Sequence, residues 1–257
     1  MKYFFTVTFI FAVTFLNAQN NSLLSGVYSF TKTISQTTKT GEKKDILKGS
    51  TLDVSSFQIH TSTLLPGLMN HPSVAYDNKE ELVIVKEGNL TVHINDSIKT
   101  LTAGSIALME AGNNQSFSNT SANPVTYYII SFVGKLPVNI IRGSKNGSYE
   151  IKDWNELPVK QTTKGESRQV FEKPTSMFSK LSIHVTNLNA NEQSHLPHTH
   201  RAEEIMLLLK GSGQLQVGSN FYTVDTGDIM FINANNVHAF KNTGNTQCSY
   251  YAIQWNL

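Results

Sequence analysis

The sequence predicts an all-β protein built as two tandem barrels. Three observations carry this: short segments that alternate apolar and polar residues between turn signals, no convincing amphipathic helical pattern, and one long-period internal repeat. Leu90-Thr-Val-His-Ile94 and Gln214-Leu-Gln-Val217 alternate with the period of a half-buried strand. Each closes on turn chemistry, Asn95-Asp96 and Gly218-Ser-Asn220, and Phe221-Tyr-Thr-Val224 returns from the second turn. Several short strands at such spacing indicate a sandwich or a barrel.

Taken in chain order, Lys2 precedes an apolar run from Tyr3 to Leu16 and then Asn17-Ala18-Gln19. That is the pattern of a secretory signal peptide over residues 1–18. The run is shorter than the ~18 residues of a membrane-spanning helix, and no other apolar run is long enough to cross. Leu16 departs from the small-x-small rule before the cut. An exported protein, periplasmic or secreted, is expected. Leu23 to Ser29 is expected as a strand docking on one barrel. Thr31 to Lys48 carries Lys32, Lys39, Lys43, Lys44 and Lys48, interrupted by Glu42 and Asp45, and is expected as a solvated loop. A first barrel is assigned to 19–135 and a linker to 136–158, punctuated by Pro137, Gly143, Asn146-Gly147 and Pro158. The second barrel takes 159–257.

The repeat defines the two halves. Lys39-Thr-Gly-Glu42 echoes Thr163-Lys-Gly-Glu166, and Phe57-Gln-Ile-His60 echoes Leu181-Ser-Ile-His184. Glu80-Glu81 with Gly88 echoes Glu203-Glu204 with Gly211; Gly104 echoes Gly227 and Asn119 echoes Asn242. The offset is 124 residues at His60 and His184 and 123 at Glu81 and Glu204, so one residue is inserted in the first copy between His71 and Glu81.

The chain has 257 residues, with Lys+Arg 21 against Asp+Glu 19 and a formal charge of +2, which gives no electrostatic footprint for nucleic acid. No helix-turn-helix pattern is present. The single cysteine, Cys248, has no partner for an internal disulfide and sits in an alternating terminal strand, Gln247 to Trp255, as a core thiol.

The chemistry concentrates in His198-Thr-His200-Arg-Ala-Glu-Glu204, followed by Gly211 and, one hairpin later, by His238. Two histidines two apart on a strand face the same side. Three imidazoles and a carboxylate suit a divalent Mn, Fe, Co, Ni or Zn ion. The stretch 194–242 resembles the two motifs of the cupin superfamily. His198, His200, Glu204 and Gly211 fit the first, and Gly227, His238 and Asn242 fit the second. Asn233 and Asn235 stand where the family usually has Pro and Gly, in a turn whose left-handed backbone Asn tolerates.

The resemblance implies two tandem cupin barrels of the double-stranded β-helix, or jelly-roll, type, with His198, His200, Glu204 and His238 as ligands of one divalent metal. Alignment of the copies sets Val74 opposite His198, Tyr76 opposite His200 and Gln115 opposite His238, and only Glu81 remains opposite Glu204. The first barrel is therefore expected to bind no metal tightly, and to serve folding, packing or a metal-free pocket. His195 aligns with His71, and His184 with His60, so both are assigned to loop or fold; His60 and His93 are read as surface or packing residues.

Arg201 is a candidate for a substrate carboxylate, since its fork accepts two oxygens. Tyr222, Phe240 and Gln254 lie on neighbouring strands as candidate pocket residues. No general base is assigned. The expected partner is a small molecule, with no nucleic acid, and a homodimer is compatible with the chain. The leading function is an exported metal-dependent enzyme, isomerase, lyase or dioxygenase, acting on a small polar substrate such as a uronate-type sugar acid or another carboxylate. The resembling cupins include uronate isomerases and ring-opening enzymes, oxalate-degrading manganese enzymes and iron dioxygenases. The silent first half weighs against the oxalate type. Ureidoglycine aminohydrolases also pair a silent cupin with a metal-bearing one, but with another ligand order. The alternatives are a metal-organised module that binds a small ligand such as a carbohydrate without turning it over, and a storage role, against which the intact ligand set argues.

Overall fold

The computed structural model describes residues 22–257; the expected signal peptide, 1–18, lies outside them. Strand accounts for 56% of the structure against 4% helix, which makes the chain all-β. In the first half, Gln36–Thr38, Gly41–Gly49, Val54–Leu64, Val125–Gly134, Glu80–Glu87 and Ile106–Met109 pair in that order, antiparallel throughout. The second half repeats the order with Lys160–Thr162, Gly165–Lys173, Lys180–Leu188, Cys248–Asn256, Glu203–Lys210 and Ile229–Ile232. A smaller sheet completes each half, containing Leu90–Ile94 with Asn114–Ser118 in the first and Ser212–Val217 with His238–Asn242 in the second.

The seventh strand of each large sheet comes from the chain segment ahead of the other half. Gly26–Tyr28 pairs with Ile229–Ile232 of the second half, and Tyr149–Lys152 pairs with Ile106–Met109 of the first. An aromatic residue just beyond each crossing arm seats on a glycine. A Cβ at Gly104 would stand 2.7 Å from the Trp154 ring, and one at Gly227 would stand 3.0 Å from the Phe30 ring. Both glycines also hold a left-handed backbone, φ +86° and +95°.

Two expectations change. Thr31 to Lys48 is not a solvated loop: most of it forms the hairpin of Gln36–Thr38 and Gly41–Gly49. Lys39 sits at the hairpin turn, and Lys43, Lys44 and Lys48 lie on Gly41–Gly49, the strand next to the edge, with Lys43 and Lys44 half-buried. The stretch 136–158 holds a short helix, Ile140–Lys145, and the crossing strand Tyr149–Lys152 as well as connecting chain.

Three apolar clusters result. One fills the first barrel, around Val83, Val85, Phe117 and Tyr127; another fills the second, around Met206, Leu208, Phe240 and Tyr250. The largest lies between the barrels. Its centre is aromatic: the Phe132 ring centroid lies 5.1 Å from Phe57, 5.3 Å from Phe178 and 5.3 Å from Trp255.

Strand alternation sends the paired glutamates to opposite faces. Glu203 turns toward the first barrel and accepts hydrogen bonds from the Thr51 hydroxyl (2.5 Å), the Leu52 and Asp53 amides (2.9 and 3.0 Å) and the Trp255 indole (3.1 Å). Glu80 does the same in reverse, accepting from the Thr175 and Ser176 hydroxyls (2.9 and 2.6 Å) and the Met177 amide (2.6 Å). Both carboxylates are fully buried. Each barrel thus clamps the loop that opens a central strand of the other.

Removing a buried acceptor leaves its donors without partners, at about 1–3 kcal/mol each before relaxation. Glu203→Ala is expected to destabilise the chain by about 3 kcal/mol or more, measured by urea denaturation; a loss below about 1 kcal/mol would refute the clamp. Burial pushes the Glu80 carboxyl up to about 7, opposed by the donors of Ser176, Thr175 and Met177 and reinforced by the Glu110 charge. The folded state therefore retains a proton that the unfolded chain, with a carboxyl near ~4.3, has released. That contribution is complete below about pH 4.3 and is lost as pH rises through about 7. Unfolding free energy should fall between about pH 4.3 and pH 7 and level off above, and Glu80→Gln should flatten the dependence.

Candidate metal centre

Glu204, Met206 and Leu208 point into the second barrel because they alternate with Glu203, Ile205 and Leu207, which face the other half. Glu204 lies at a cavity of about 330 Å³. His200 Nε2 stands 3.2 Å and His238 Nε2 3.3 Å from the same oxygen, Glu204 Oε2. Each ring has its other nitrogen on a backbone carbonyl, His200 Nδ1 on Ala202 and His238 Nδ1 on Asn236, both at 2.9 Å. Those bonds place the proton on Nδ1 and leave the Nε2 lone pairs facing the carboxylate.

Burial acts to raise the Glu204 carboxyl; a proton on His200 or His238 Nε2 opposes it and holds the carboxyl down, at about 2, while those rings carry that proton. Without that proton the same three atoms are a carboxylate facing two nitrogen lone pairs. Such a set of acceptors is stable only around a cation. A proton satisfies one contact, whereas a metal ion satisfies all three. His238 Nε2 is buried without a hydrogen-bond partner, which fits a ligand atom awaiting an ion.

The expected histidine pair is not on a strand. His198 meets His238 through two backbone hydrogen bonds, His198 N–H to His238 O (3.1 Å) and His238 N–H to His198 O (2.9 Å), and the Asn235 amide donates to His200 O (2.8 Å). Asn235 has φ +62°, the left-handed conformation that Asn tolerates at this turn. The His198 ring centroid lies 4.6 Å from His238 and 5.3 Å from His200. It forms a second potential ligand group, His195–His198–His238, which shares His238 with the group His200–Glu204–His238. His195, assigned from the sequence to the loop, is therefore part of the cluster, with its ring centroid 4.0 Å from that of His198.

Other site expectations are redistributed. Arg201 forks onto Asp53 of the first barrel, with Nη2–Oδ1 2.7 Å and Nη1–Oδ2 3.1 Å, so a carboxylate of this chain, not a substrate, fills its fork. Phe240 is buried against Tyr250, ring centroids 5.0 Å apart, and Tyr222 packs beside Gly26 of the crossing arm; neither lines the cavity. Gln254 does line it, as do His184, His195, Lys164 and Tyr250. Burial lowers the His184 pKa, which keeps that ring neutral. Lys164 is held by the carbonyls of Gln193 and Ser194 at 2.6 and 3.2 Å. Cys248 is buried beside Gly211 and its thiol is pushed up to about 11 by burial, in keeping with a core residue. In the first barrel Gln115 and Lys79 meet Glu81 where the second barrel presents imidazoles to Glu204.

Residues 184–254 match the family model for the cupin domain, and residues 75–165 match that for the AraC-like ligand binding domain. No curated protein sequence matches the chain. Among solved structures it is similar to the protein Ylba from E. coli, at 17% identity and TM-score 0.68, over 89% of each chain. It is also similar to AerE from Microcystis aeruginosa, at 16% identity and TM-score 0.64, over 88% of this chain and 98% of that one. A third is the oxalate decarboxylase of Lactobacillus farciminis in its formate complex, at 13% identity and TM-score 0.70, over 91% and 87%. At these identities the likeness is one of fold.

His200→Ala, His238→Ala and Glu204→Gln are each expected to lower metal affinity at least 100-fold, and the double change of His198 and His200 to Ala to abolish uptake. Gln115→Ala should leave it unchanged and His195→Ala should cost no more than about tenfold. Elemental analysis and competition with a chelator measure both; equal loss from Gln115→Ala would refute a single site in the second barrel.

Proposed function

Given that the chain belongs to the cupin superfamily, with two barrels and a carboxylate–imidazole cluster in the second, we propose that it is a metal-dependent enzyme acting on a small polar carboxylate, with uronate-type sugar acids as the leading class. The observation that carries this reading is the company the cluster keeps. The cavity above Glu204 also holds two imidazoles beyond the four expected ligands, His184 and His195. Imidazoles beside a metal ion can move protons for turnover; the first cavity has the matching His60 and His71 but lacks the histidine ligands.

A divalent ion bound here would polarise a carbonyl or carboxylate oxygen and acidify bound water. The chain's own residues supply the rest. His200 and His238 are oriented by their backbone acceptors, and Glu204 contributes the charge. His184, neutral, can accept a proton from a substrate carbon or hydroxyl. Tyr250, Thr186 and Gln254 line the same space as hydrogen-bonding groups for the polar substrate. Which reaction follows, isomerisation, elimination or oxygenation, depends on the ion.

The residues before Gln19 support export to the periplasm or beyond, which agrees with a polysaccharide-derived substrate. Among the described residues no helix is long and apolar enough to cross a membrane.

The test is turnover of a panel of saturated and unsaturated uronates, keto acids and dicarboxylates by protein loaded separately with Mn, Fe, Co, Ni or Zn. Activity should vanish on chelation and return with one ion. His184→Phe should lower kcat at least tenfold with little change in KM. Tight binding of a panel member without turnover under any loading would replace the enzyme with a binding module.

A further inference from the structure

The two cavities of this chain share their walls. The offsets of 124 and 123 residues set His60 opposite His184, His71 opposite His195 and Tyr127 opposite Tyr250. They also set Thr38 opposite Thr162, Glu42 opposite Glu166 and Leu64 opposite Leu188. Each of these residues lines the cavity of its own barrel, and the first cavity, at about 360 Å³, is no smaller than the second at about 330 Å³. The alignment that sent His184 and His195 to the fold thus has another explanation: both copies retain a polar wall around an open space. At the rim, where Thr38, Glu42 and Thr162 are exposed, solvent accounts for polar residues; deeper in, where Tyr127 and Tyr250 are buried, it does not.

The floors differ. Val74, Tyr76 and Gln115 replace the three histidines, yet Glu81 remains where the second barrel has Glu204. Glu81 is not bare. Lys79 Nζ lies 2.8 Å from its Oε1 and 3.4 Å from the Tyr76 ring centroid. Ser131 donates to Oε1 at 2.6 Å, and the Gln115 amide donates to Oε2. A lysine ammonium carries three donors. It sits on the glutamate that in the other half faces the metal ligands, and it lines the cavity.

The wall above it has unmet hydrogen-bonding capacity. Tyr127 is 0% exposed, lines the cavity, and its hydroxyl lies beside Ser62 without a completed hydrogen bond. His60 Nδ1 is likewise buried and unpartnered. Buried polar groups are rarely left so, and here two border one space.

We propose that the first barrel is a second, metal-independent ligand site for the same class of small carboxylate as the second barrel, with the Lys79 ammonium in the place of the metal ion. Lys79 meets the carboxylate, and Tyr127 and His60 meet the ligand's hydroxyl or carbonyl groups. The ligand class rests on the proposed function; the existence of the site does not depend on metal uptake.

The experiment uses the full chain with His198→Ala and His200→Ala, so that the second barrel holds no ion, titrated calorimetrically with D-glucuronate, with D-glucose as the uncharged counterpart. One glucuronate site per chain is expected, at least tenfold weaker with Lys79→Met, several-fold weaker with Tyr127→Phe, and at least tenfold weaker for glucose. Circular dichroism and melting temperature establish that each variant folds; if Lys79→Met does not, Tyr127→Phe and His60→Gln carry the comparison. Absence of binding to the metal-free chain, or binding that none of these changes weakens, overturns the proposal. Wild-type protein that takes up metal and turns over a uronate, while its metal-free variant binds none, overturns the second site alone. Wild-type protein that takes up no metal, while the variant binds glucuronate through Lys79, overturns the metal reading alone and supports the second site.

Discussion

The reciprocal seating of Glu80 and Glu203 in the opposite barrel is the constraint on which the arrangement depends. A buried carboxylate is tolerated only when its hydrogen bonds are supplied, and here each is supplied by a loop of the other half. Strand geometry then fixes the next residue. Glu81 and Glu204 must face their own barrel interiors because Glu80 and Glu203 face outward. The histidine–glutamate cluster is thus referenced to the interface between barrels. Arg201 strengthens the link, since its fork holds Asp53 in the same loop that Glu203 clamps. The barrel without histidine ligands helps to hold in place the strand and loop that carry them.

Much of this was legible in the sequence, for physical reasons that differ by element. The strand Ser212–Val217 could be read because one face is buried and the other is wetter, and Leu90–Ile94 because its apolar residues alternate although nearly all of it is buried. The ligands could be read because His198, His200 and Glu204 lie within seven residues, and His238 returns one hairpin later. The hairpin of Gln36–Thr38 and Gly41–Gly49 could not, because its edge strand is short and polar and the strand beside it carries four charges in a row, the composition of a loop. Arg201 was read as a free fork because its partner, Asp53, is 148 residues away. His195 and His184, assigned to loop or fold, stand on the cavity wall, a position the sequence did not reveal for a different reason. Retention in both copies was taken to mean independence from ligand, whereas a shared cavity wall produces the same retention.

The comparison of floors shows how one backbone can satisfy one buried carboxylate in two ways. In the second barrel Glu204 faces the Nε2 atoms of two imidazoles, and its counter-charge is a cation that binds there with them, a proton or a metal ion. In the first it is covalently tethered, as Lys79, and partly shielded by the Tyr76 ring. The tethered version needs no ion and cannot lose one, but it carries one charge instead of two and offers N–H donors instead of open coordination positions. It can hold a ligand and has no Lewis acidity with which to transform it.

The crossing arms have a consequence for the history of the molecule. Because Gly26–Tyr28 and Tyr149–Lys152 each border the sheet of the half they do not lead into, a cut ahead of Tyr149 leaves Ile106–Met109 and Ile229–Ile232 each without an outer neighbour. Interdependence of this kind frees the halves to diverge chemically: one can lose its imidazoles without being discarded, because its neighbour cannot finish its own architecture without it.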